Sequence, residues 1–190
     1  MANTGEIHHP KSRERTHRKH FAAFGRADKD AKVTGEVIGQ ASGTKTPGKL
    51  VYFKPSRLDP TRMFWILVFE VEPRQSENYR LRLIDESDGH EMGHSTDVDI
   101  ADTHGPQISC PQNNANLPRE FGAYGGTNSN SPVSGSIAPS GPNTFIAQED
   151  ASSTPPDWYL YCMVDRPNPP CTLTVTQGGS SAMATGLTFS

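Results

Sequence analysis

The residues best suited to chemistry in this chain lie at His90 to His94, where the sequence matches the pattern H-E-x-x-H. In zinc proteases this spacing places both histidines on one face of a helix, where they bind zinc beside a glutamate that acts on a bound water. Here Ser87-Asp88-Gly89 is typical of a turn, and alternation of residue types resumes after the motif. Gly93 also lowers helix stability by about 1 kcal/mol relative to alanine. We therefore expect no catalytic residues, metal site or cofactor, and we predict that the protein is not an enzyme.

Two weaker forms of this chemistry stay open. A strand in place of the helix would also put His90 and His94 on one face, where they could hold a metal adventitiously. The acidic turn at Asp85 to Asp88 lacks the complete ligand pattern of a calcium loop. A zinc hydrolase that uses Glu91 needs a helix at this place, and it is our third functional hypothesis.

The elements around the motif are predicted to be strands of a repeated unit. An apolar run at Phe64 to Val71 is followed by a polar turn and by alternating residues at Tyr79 to Leu83, which predicts a β-hairpin. The same pattern returns at Trp158 to Val164 and Cys171 to Val175. When the two copies are aligned, Trp65, Leu67, Phe69 and Val71 match Trp158, Leu160, Cys162 and Val164. The sequence therefore predicts two copies of one β unit.

Composition agrees with short strands rather than long helices. The chain has 190 residues, a hydrophobic content of 33%, 17 glycines and 16 prolines, so turns and loops occupy much of it. Strand patterns recur about every 8 to 12 residues with turn residues between them, which favours a sandwich or barrel over a parallel α/β sheet. A chain of this length accommodates two small domains.

The second unit resembles a known family in a series of short motifs. These are Ile108-Ser109-Cys110-Pro111, Gly125-Gly126, Val133-Ser134-Gly135, Trp158 and Leu173-Thr174-Val175-Thr176. They are similar to the Ig-like modules of bacterial surface and assembly proteins, and the first unit is a weaker match. The resemblance implies antiparallel β-sandwiches used as spacers or interaction modules, and it implies no catalytic residues. The Cys…Trp…Cys spacing of antibody domains is absent.

We accordingly predict an all-β protein of two tandem Ig-like antiparallel β-sandwich domains with an extended basic N-terminal arm. The predicted boundaries follow the strand pattern and the turn-rich stretches. They are an arm at 1–32, a first sandwich at 33–102, a linker at 103–117 and a second sandwich at 118–190.

The N-terminal segment differs from the rest of the chain in charge. Residues 1–32 carry eight Lys and Arg against four Asp and Glu, whereas the remainder carries ten against seventeen. We expect the arm to contact an anionic surface or an acidic protein face. Nucleic acid is not expected as a partner, because no aromatic platform for stacking bases accompanies the basic residues.

Targeting signals are not visible in the sequence. No apolar run approaches the roughly 20 residues that span a bilayer, and the N-terminus has no apolar segment typical of a secretory signal. The expectation is therefore a cytoplasmic or particle-associated protein, or an extracellular or periplasmic one if an export route not visible in this sequence operates.

The outward-facing positions of the predicted hairpin strands are unusually apolar. Ile66 and Val68 in the first unit, and Tyr159, Tyr161 and Met163 in the second, are expected to face away from the core. Such faces need a cover, either from the chain's own loops or from a partner. The predicted partner-binding residues are therefore these five together with the basic ones, Lys11, Arg13, Arg15, Arg18 and Lys19.

Two cysteines, Cys162 and Cys171, fall on neighbouring strands of the second predicted hairpin and on the same face. They could form a disulfide in an oxidising compartment, or remain free as small buried apolar residues. The reducing default for a chain without a secretory signal favours free thiols.

Three functional hypotheses follow. The first is a non-enzymatic structural or accessory subunit that docks into a larger protein assembly through its arm and its outward aromatic faces. The second is an extracellular module that binds a glycan or another ligand through Pro139 to Pro156 with Tyr159 and Tyr161, and it predicts the Cys162–Cys171 bridge. The third is the zinc hydrolase.

Overall fold

The computed structural model describes residues 2–102, 107–126, 131–149 and 157–190, with the side chains of Glu149 and Asp157 excluded. All regular structure in these residues is β-strand, and they contain no helix long and apolar enough to cross a bilayer. The chain divides into two compact units, Met1–His104 and Gly105–Ser190. The prediction of an all-β chain is confirmed.

The first unit contains two four-stranded sheets. One has the strand order β1-β2-β6-β5 and the other has the order β4-β3-β7-β8, and every pairing in both is antiparallel. A β-carbon placed on Gly35 would come within 2.8 Å of Leu67 Cδ1 in the opposite sheet, so the sheets pack face to face as in a β-sandwich. The strands are β1 Gly5–His9, β2 His20–Asp28, β3 Val33–Gly39, β4 Lys45–Pro47, β5 Lys49–Pro55, β6 Arg62–Glu70, β7 Tyr79–Asp85 and β8 His90–Val98.

The second unit repeats this arrangement with fewer strands. Its sheets have the orders β10-β13-β12 and β11-β14-β15-β9, and only the short β15–β9 pairing is parallel. A β-carbon on Gly135 would lie 3.0 Å from Leu160 Cδ1 across the core. The strands are β9 Asn116–Leu117, β10 Glu120–Gly126, β11 Val133–Ala138, β12 Phe145–Glu149, β13 Asp157–Met163, β14 Cys171–Gln177 and β15 Ser180–Phe189.

Residues 1–32 do not form an extended arm. They supply β1 and β2, and β2 pairs along its whole length with β6 in the core of the first unit. Phe21, Ala22, Ala23 and Phe24 are at most 1% exposed. The apolar run that follows the basic residues forms the most buried strand of the sheet, because both of its faces are covered. The first unit therefore begins well before residue 33.

The predicted hairpins do not form either. β6 lies in one sheet with β2 and β5, whereas β7 lies in the other sheet with β3 and β8. The same holds for β13 and β14. Each connection is therefore an arch that crosses from one sheet to the other. Both connections are longer than the two to five residues of a tight hairpin turn, so they can span the distance between the sheets. The strands themselves were predicted correctly, and their partners were not.

The predicted linker also contributes to the fold. Cys110 forms an isolated bridge with Tyr124, and Asn116–Leu117 forms β9 beside the end of β15. The described part of 103–117 is therefore attached to the second unit by backbone hydrogen bonds, as in Ser109 N to Tyr124 O at 2.9 Å.

Candidate functional site

The motif His90 to His94 lies in β8, an edge strand, and not in a helix. Glu91 pairs with Ile84 and Gly93 with Leu83, so Met92 is an extra residue in a β-bulge. His90 is paired with Asp85, and His94 is paired with Arg82. These two partners are three residues apart on β7. Because directly paired residues share a face and side chains alternate, the bulge puts the two histidines on opposite faces of the sheet. The expectation that a strand would hold them on one face is wrong.

Glu91 is held in a network of ion pairs instead of facing an open site. Its carboxylate accepts hydrogen bonds from Arg82 Nε at 2.5 Å, Arg80 Nη2 at 2.6 Å and His94 Nδ1 at 2.7 Å. Arg82 also contacts Glu36 on β3 at 2.9 Å, and Lys45 on β4 contacts the same glutamate at 3.3 Å. We call these six residues the ion-pair face; they alternate in charge across all four strands of the sheet.

The electrostatics of Glu91 agree with this structural role. Burial raises the pKa of its carboxyl, but hydrogen bonds from Arg82, His94 and Arg80 outweigh that effect, so the pKa is lowered below its usual range. The carboxylate is therefore ionised at neutral pH and oriented by two guanidinium groups. No group of three or more His, Cys, Asp or Glu residues that could hold a metal ion occurs in the described ranges.

The basic segment between β1 and β2 is an ordered loop. We call residues 11–16 the basic loop. Three backbone hydrogen bonds attach it to the end of β8, from Arg13 N to Thr96 O, from Thr16 N to Asp99 O and from Asp99 N to Glu14 O, at 2.9 to 3.0 Å. Ser12 Oγ accepts a further bond from Thr96 N. The loop therefore has a defined conformation within the chain.

The predicted basic contact residues have different positions. Lys11, Arg13 and Arg15 are exposed, and Arg15 lies 3.4 Å from Asp99. Arg18 is 1% exposed, and Lys19 forms an ion pair with Glu72 at 2.8 Å. Three of the five predicted basic residues are thus available at the surface.

The predicted aromatic contact faces are not at the surface. Ile66, Tyr159, Tyr161 and Met163 are between 0% and 8% exposed, and Val68 is half-buried. The sequence predicts that these positions need a cover, and the chain itself covers them rather than a partner. They do not form an exposed docking face.

A buried polar pair lies on this covered face, and the sequence did not indicate it. Tyr161 donates its hydroxyl hydrogen to Glu120 Oε1 at 2.5 Å, and neither residue is exposed to solvent. The ring of Tyr161 also contacts Phe145 of β12. The sequence shows only a glutamate directly before the run Phe121 to Tyr124; the pairing of Glu120 with Met163, on the strand that carries Tyr161, is visible only in the structure.

The three cysteines of the chain are free and buried. Cys162 and Cys171 lie on strands of different sheets, and Cys171 Sγ donates to Pro139 O at 3.1 Å. Burial raises the pKa of the Cys162 thiol far above its usual value. The predicted alternative of a Cys162–Cys171 bridge is therefore not formed in this structure.

The sheet face of the second unit that corresponds to the ion-pair face carries hydroxyl groups. Ser134 and Ser136 on β11 pair with Thr176 and Thr174 on β14, and Thr176 pairs with Ser181 on β15. These residues, with Thr172, are exposed or half-exposed. We call this set of six the hydroxyl face. The loop predicted to bind ligand, Pro139 to Pro156, is described only to residue 149, and its remainder lies outside the described residues.

No model of a protein family matches the sequence, and no curated protein matches it.

Proposed function

We propose that this chain is a non-enzymatic structural or accessory subunit, in which two Ig-like β-sandwich units dock to other protein subunits of a larger assembly. The proposal rests chiefly on the basic loop. Three hydrogen bonds to Thr96 of β8 and to Asp99 just after it fix the backbone of the loop, while Lys11 and Arg13 project from it with no ion pair to any described residue. A contact surface that is already ordered loses less conformational entropy on binding.

The chemistry of the loop favours an acidic protein surface as the partner. Glu14 is occupied, because its carboxylate accepts hydrogen bonds from His9 Nδ1 at the end of β1, at 2.9 Å, and from Lys11 N within the loop, at 2.6 Å. These hydrogen bonds engage the Glu14 carboxylate within the chain, while the side chains of Lys11 and Arg13 are exposed. Opposite charges across an interface orient the partner and accelerate association.

The environment of the motif His90 to His94 supports a function without catalysis. Glu91 would have to act on a bound water in a hydrolase, but two arginines and His94 occupy its carboxylate. His90 and His94 are on opposite faces of the sheet. These residues stabilise a sheet. A zinc hydrolase would need both histidines on one side of the element to bind the same metal ion, and that arrangement is not present here.

Native mass spectrometry of the protein taken from its source under mild conditions tests the proposal. We expect the chain in a stoichiometric complex with another protein, and we expect Lys11→Glu with Arg13→Glu to release it. The matched control reverses two other exposed charges, Lys29→Glu with Arg74→Glu, and should leave the complex intact. A bare 20.7 kDa chain, or equal release by both pairs of substitutions, would overturn the proposal.

A second candidate function, a glycan-binding module, is favoured by the hydroxyl face. Its six residues carry no charge, and each hydroxyl both donates and accepts hydrogen bonds, as sugar hydroxyls do. Thr174→Glu would place a charge at the centre of this face, and Thr34→Glu would do so on the corresponding face of the first unit. Loss of binding to an immobilised glycan with the first substitution alone would support this candidate.

A further inference from the structure

Within the part of the chain that the structure describes, strand β11 forms an unpaired edge of its sheet. It pairs with β14 on one side, and no other strand of the described residues pairs with it on the other. Ser134 and Ser136 are exposed, and Gly135 between them is half-exposed. An unprotected edge presents backbone N–H and C=O groups to any extended chain that reaches it.

The first unit shows how the same edge is closed there. β3 corresponds to β11, and β4 covers it with three paired residues. Gly48 N then donates to Gly35 O at 2.8 Å, just beyond that pairing. Gly35 corresponds to Gly135, so alternation directs the N–H and C=O of Gly135 away from β14. The described part of the second unit contains no strand equivalent to β4.

The edge also lacks the usual protection against self-association. Natural edge strands carry lysines, prolines, bulges or inward-pointing charges. β5, an edge of the first unit, has Lys49, Lys54, Pro55 and a bulge near Val51. β11 has a regular register with β14 along its length, no charged residue and no proline.

The sequence of β11 is nearly a palindrome. Val133-Ser134-Gly135-Ser136-Ile137 reads with the same residue types in both directions about Gly135. When two copies align antiparallel with Gly135 opposite Gly135, each serine meets a serine and each valine meets an isoleucine. Serine pairs form cross-strand hydrogen bonds, and β-branched pairs pack well between strands.

We infer that β11 is the site at which two copies of this chain associate, as an antiparallel strand pair with Gly135 on the two-fold axis. The two Gly135 residues exchange both of their backbone hydrogen bonds across this axis. The N–H of Ile137 donates to the C=O of Val133 in the other copy, and the symmetry repeats this bond. Each copy then completes the edge that β4 completes in the first unit. Such an interface is isologous and closes as a dimer.

Two contacts at the ends of the strand define how far the pairing extends. Val133 N donates to Gln148 Oε1 at 2.8 Å, and Ser140 Oγ donates to Ile137 O at 2.7 Å. These side chains satisfy the outermost backbone groups of β11. The four bonds at the centre form without displacing them, and two more form if the side chains rotate away.

The inference is independent of the protein partner proposed above, because it concerns only two copies of this chain. Sedimentation equilibrium of the full chain over a range of concentrations tests it, and we expect a monomer–dimer equilibrium. Two pairs of exposed substitutions then test the strand pairing. Ser134→Lys with Ser136→Lys puts like charges opposite each other, while Ser134→Lys with Ser136→Glu puts opposite charges there.

The two variants differ in one residue, so they separate pairing from folding. We expect the lysine–lysine variant to weaken the dimer about fivefold or more, and the lysine–glutamate variant to retain it. Circular dichroism spectra like that of the unchanged chain show that both are folded. A monomer at every concentration, equal dimerisation of the two variants, or pairing with an unrelated peptide strand in place of a second copy would overturn the inference.

Discussion

Gly125 lies so close to Trp158 that a β-carbon on the glycine would come within 2.6 Å of the indole ring. The carbonyl oxygen of Gln107 would be closer still, so the site has no room for a side chain. Gly25 stands in the same relation to Trp65 in the first unit, at 2.9 Å. The same glycine–tryptophan pair therefore occurs between β2 and β6 in the first unit and between β10 and β13 in the second.

We predict that Gly125→Ala destabilises the second unit by about 2 kcal/mol or more, because a well-packed site cannot accept an added methyl group without displacing backbone. Hydrogen-exchange mass spectrometry reports the two units separately, and peptides of 107–126 and 157–190 should lose protection. Ser180→Ala, at an exposed position of the same unit, should change stability by less than about 0.5 kcal/mol. Equal protection in both variants would show that the glycine is not required.

The sequence predicts that the strands containing Trp65 and Trp158 are equivalent, but it does not predict the equivalence of the earlier strands in the two units. Trp65 and Trp158 marked equivalent strands because large apolar residues in alternation are a strong signal. Phe21 and Phe121 are also equivalent, but their surroundings differ in sequence. Basic residues precede Phe21 and glycines follow Phe121, so the two segments share no clear pattern. A comparison of the two units at a separation of 100 residues aligns Gly25 with Gly125 and Gly35 with Gly135.

Strand partners and exposure could not be predicted, and physical reasons explain both failures. Alternation within a strand determines which residues share a face, but it does not determine whether the next strand pairs with it or crosses to the other sheet. The bulge at Met92 depends on the register with β7, so the separation of His90 from His94 was invisible in the sequence. Burial of Tyr161 likewise depends on what packs over the sheet.

We predict that Glu91→Gln lowers the free energy of unfolding by about 1 kcal/mol, because Arg80 and Arg82 lose an ionised partner in a partly exposed network. Chemical denaturation at low and high salt measures this, and the effect should shrink as salt screens the network. Glu86→Gln in the adjacent turn, where the residue is exposed, is the control. Loss of a zinc-dependent hydrolytic activity in Glu91→Gln would instead restore the enzyme hypothesis.

Asp85 gives the first unit a dependence on pH. Hydrogen bonds from the Asn3 side chain, from Ser87 and from Lys32 N hold the pKa of this carboxyl well below its usual range. A lowered pKa in the folded state contributes stability above the unfolded value of about 3.9, and this contribution is lost as pH falls through the folded pKa. Stability of the first unit should therefore decrease with acidification below about pH 4.

We predict that Asp85→Asn reduces stability at neutral pH and flattens the acid limb of the stability curve, because an amide cannot gain the proton that weakens the aspartate. Denaturant unfolding across a pH series measures both effects. Asp30→Asn, at an exposed position in the turn between β2 and β3, should leave the curve unchanged. An unaltered acid limb in Asp85→Asn would assign the pH dependence to other carboxylates.

The three cysteines should behave as buried thiols. Cys110, Cys162 and Cys171 are at most 5% exposed, and burial raises the pKa of both Cys162 and Cys171, so little thiolate is present to react. We predict that an alkylating reagent at neutral pH labels none of them in the folded chain and all three in denaturant, as measured by intact mass. Protein isolated with no reductant should also label three times. A single label after unfolding, with a mass two hydrogens lower, would show that two of the cysteines are bridged and that the second unit is oxidised where the protein functions.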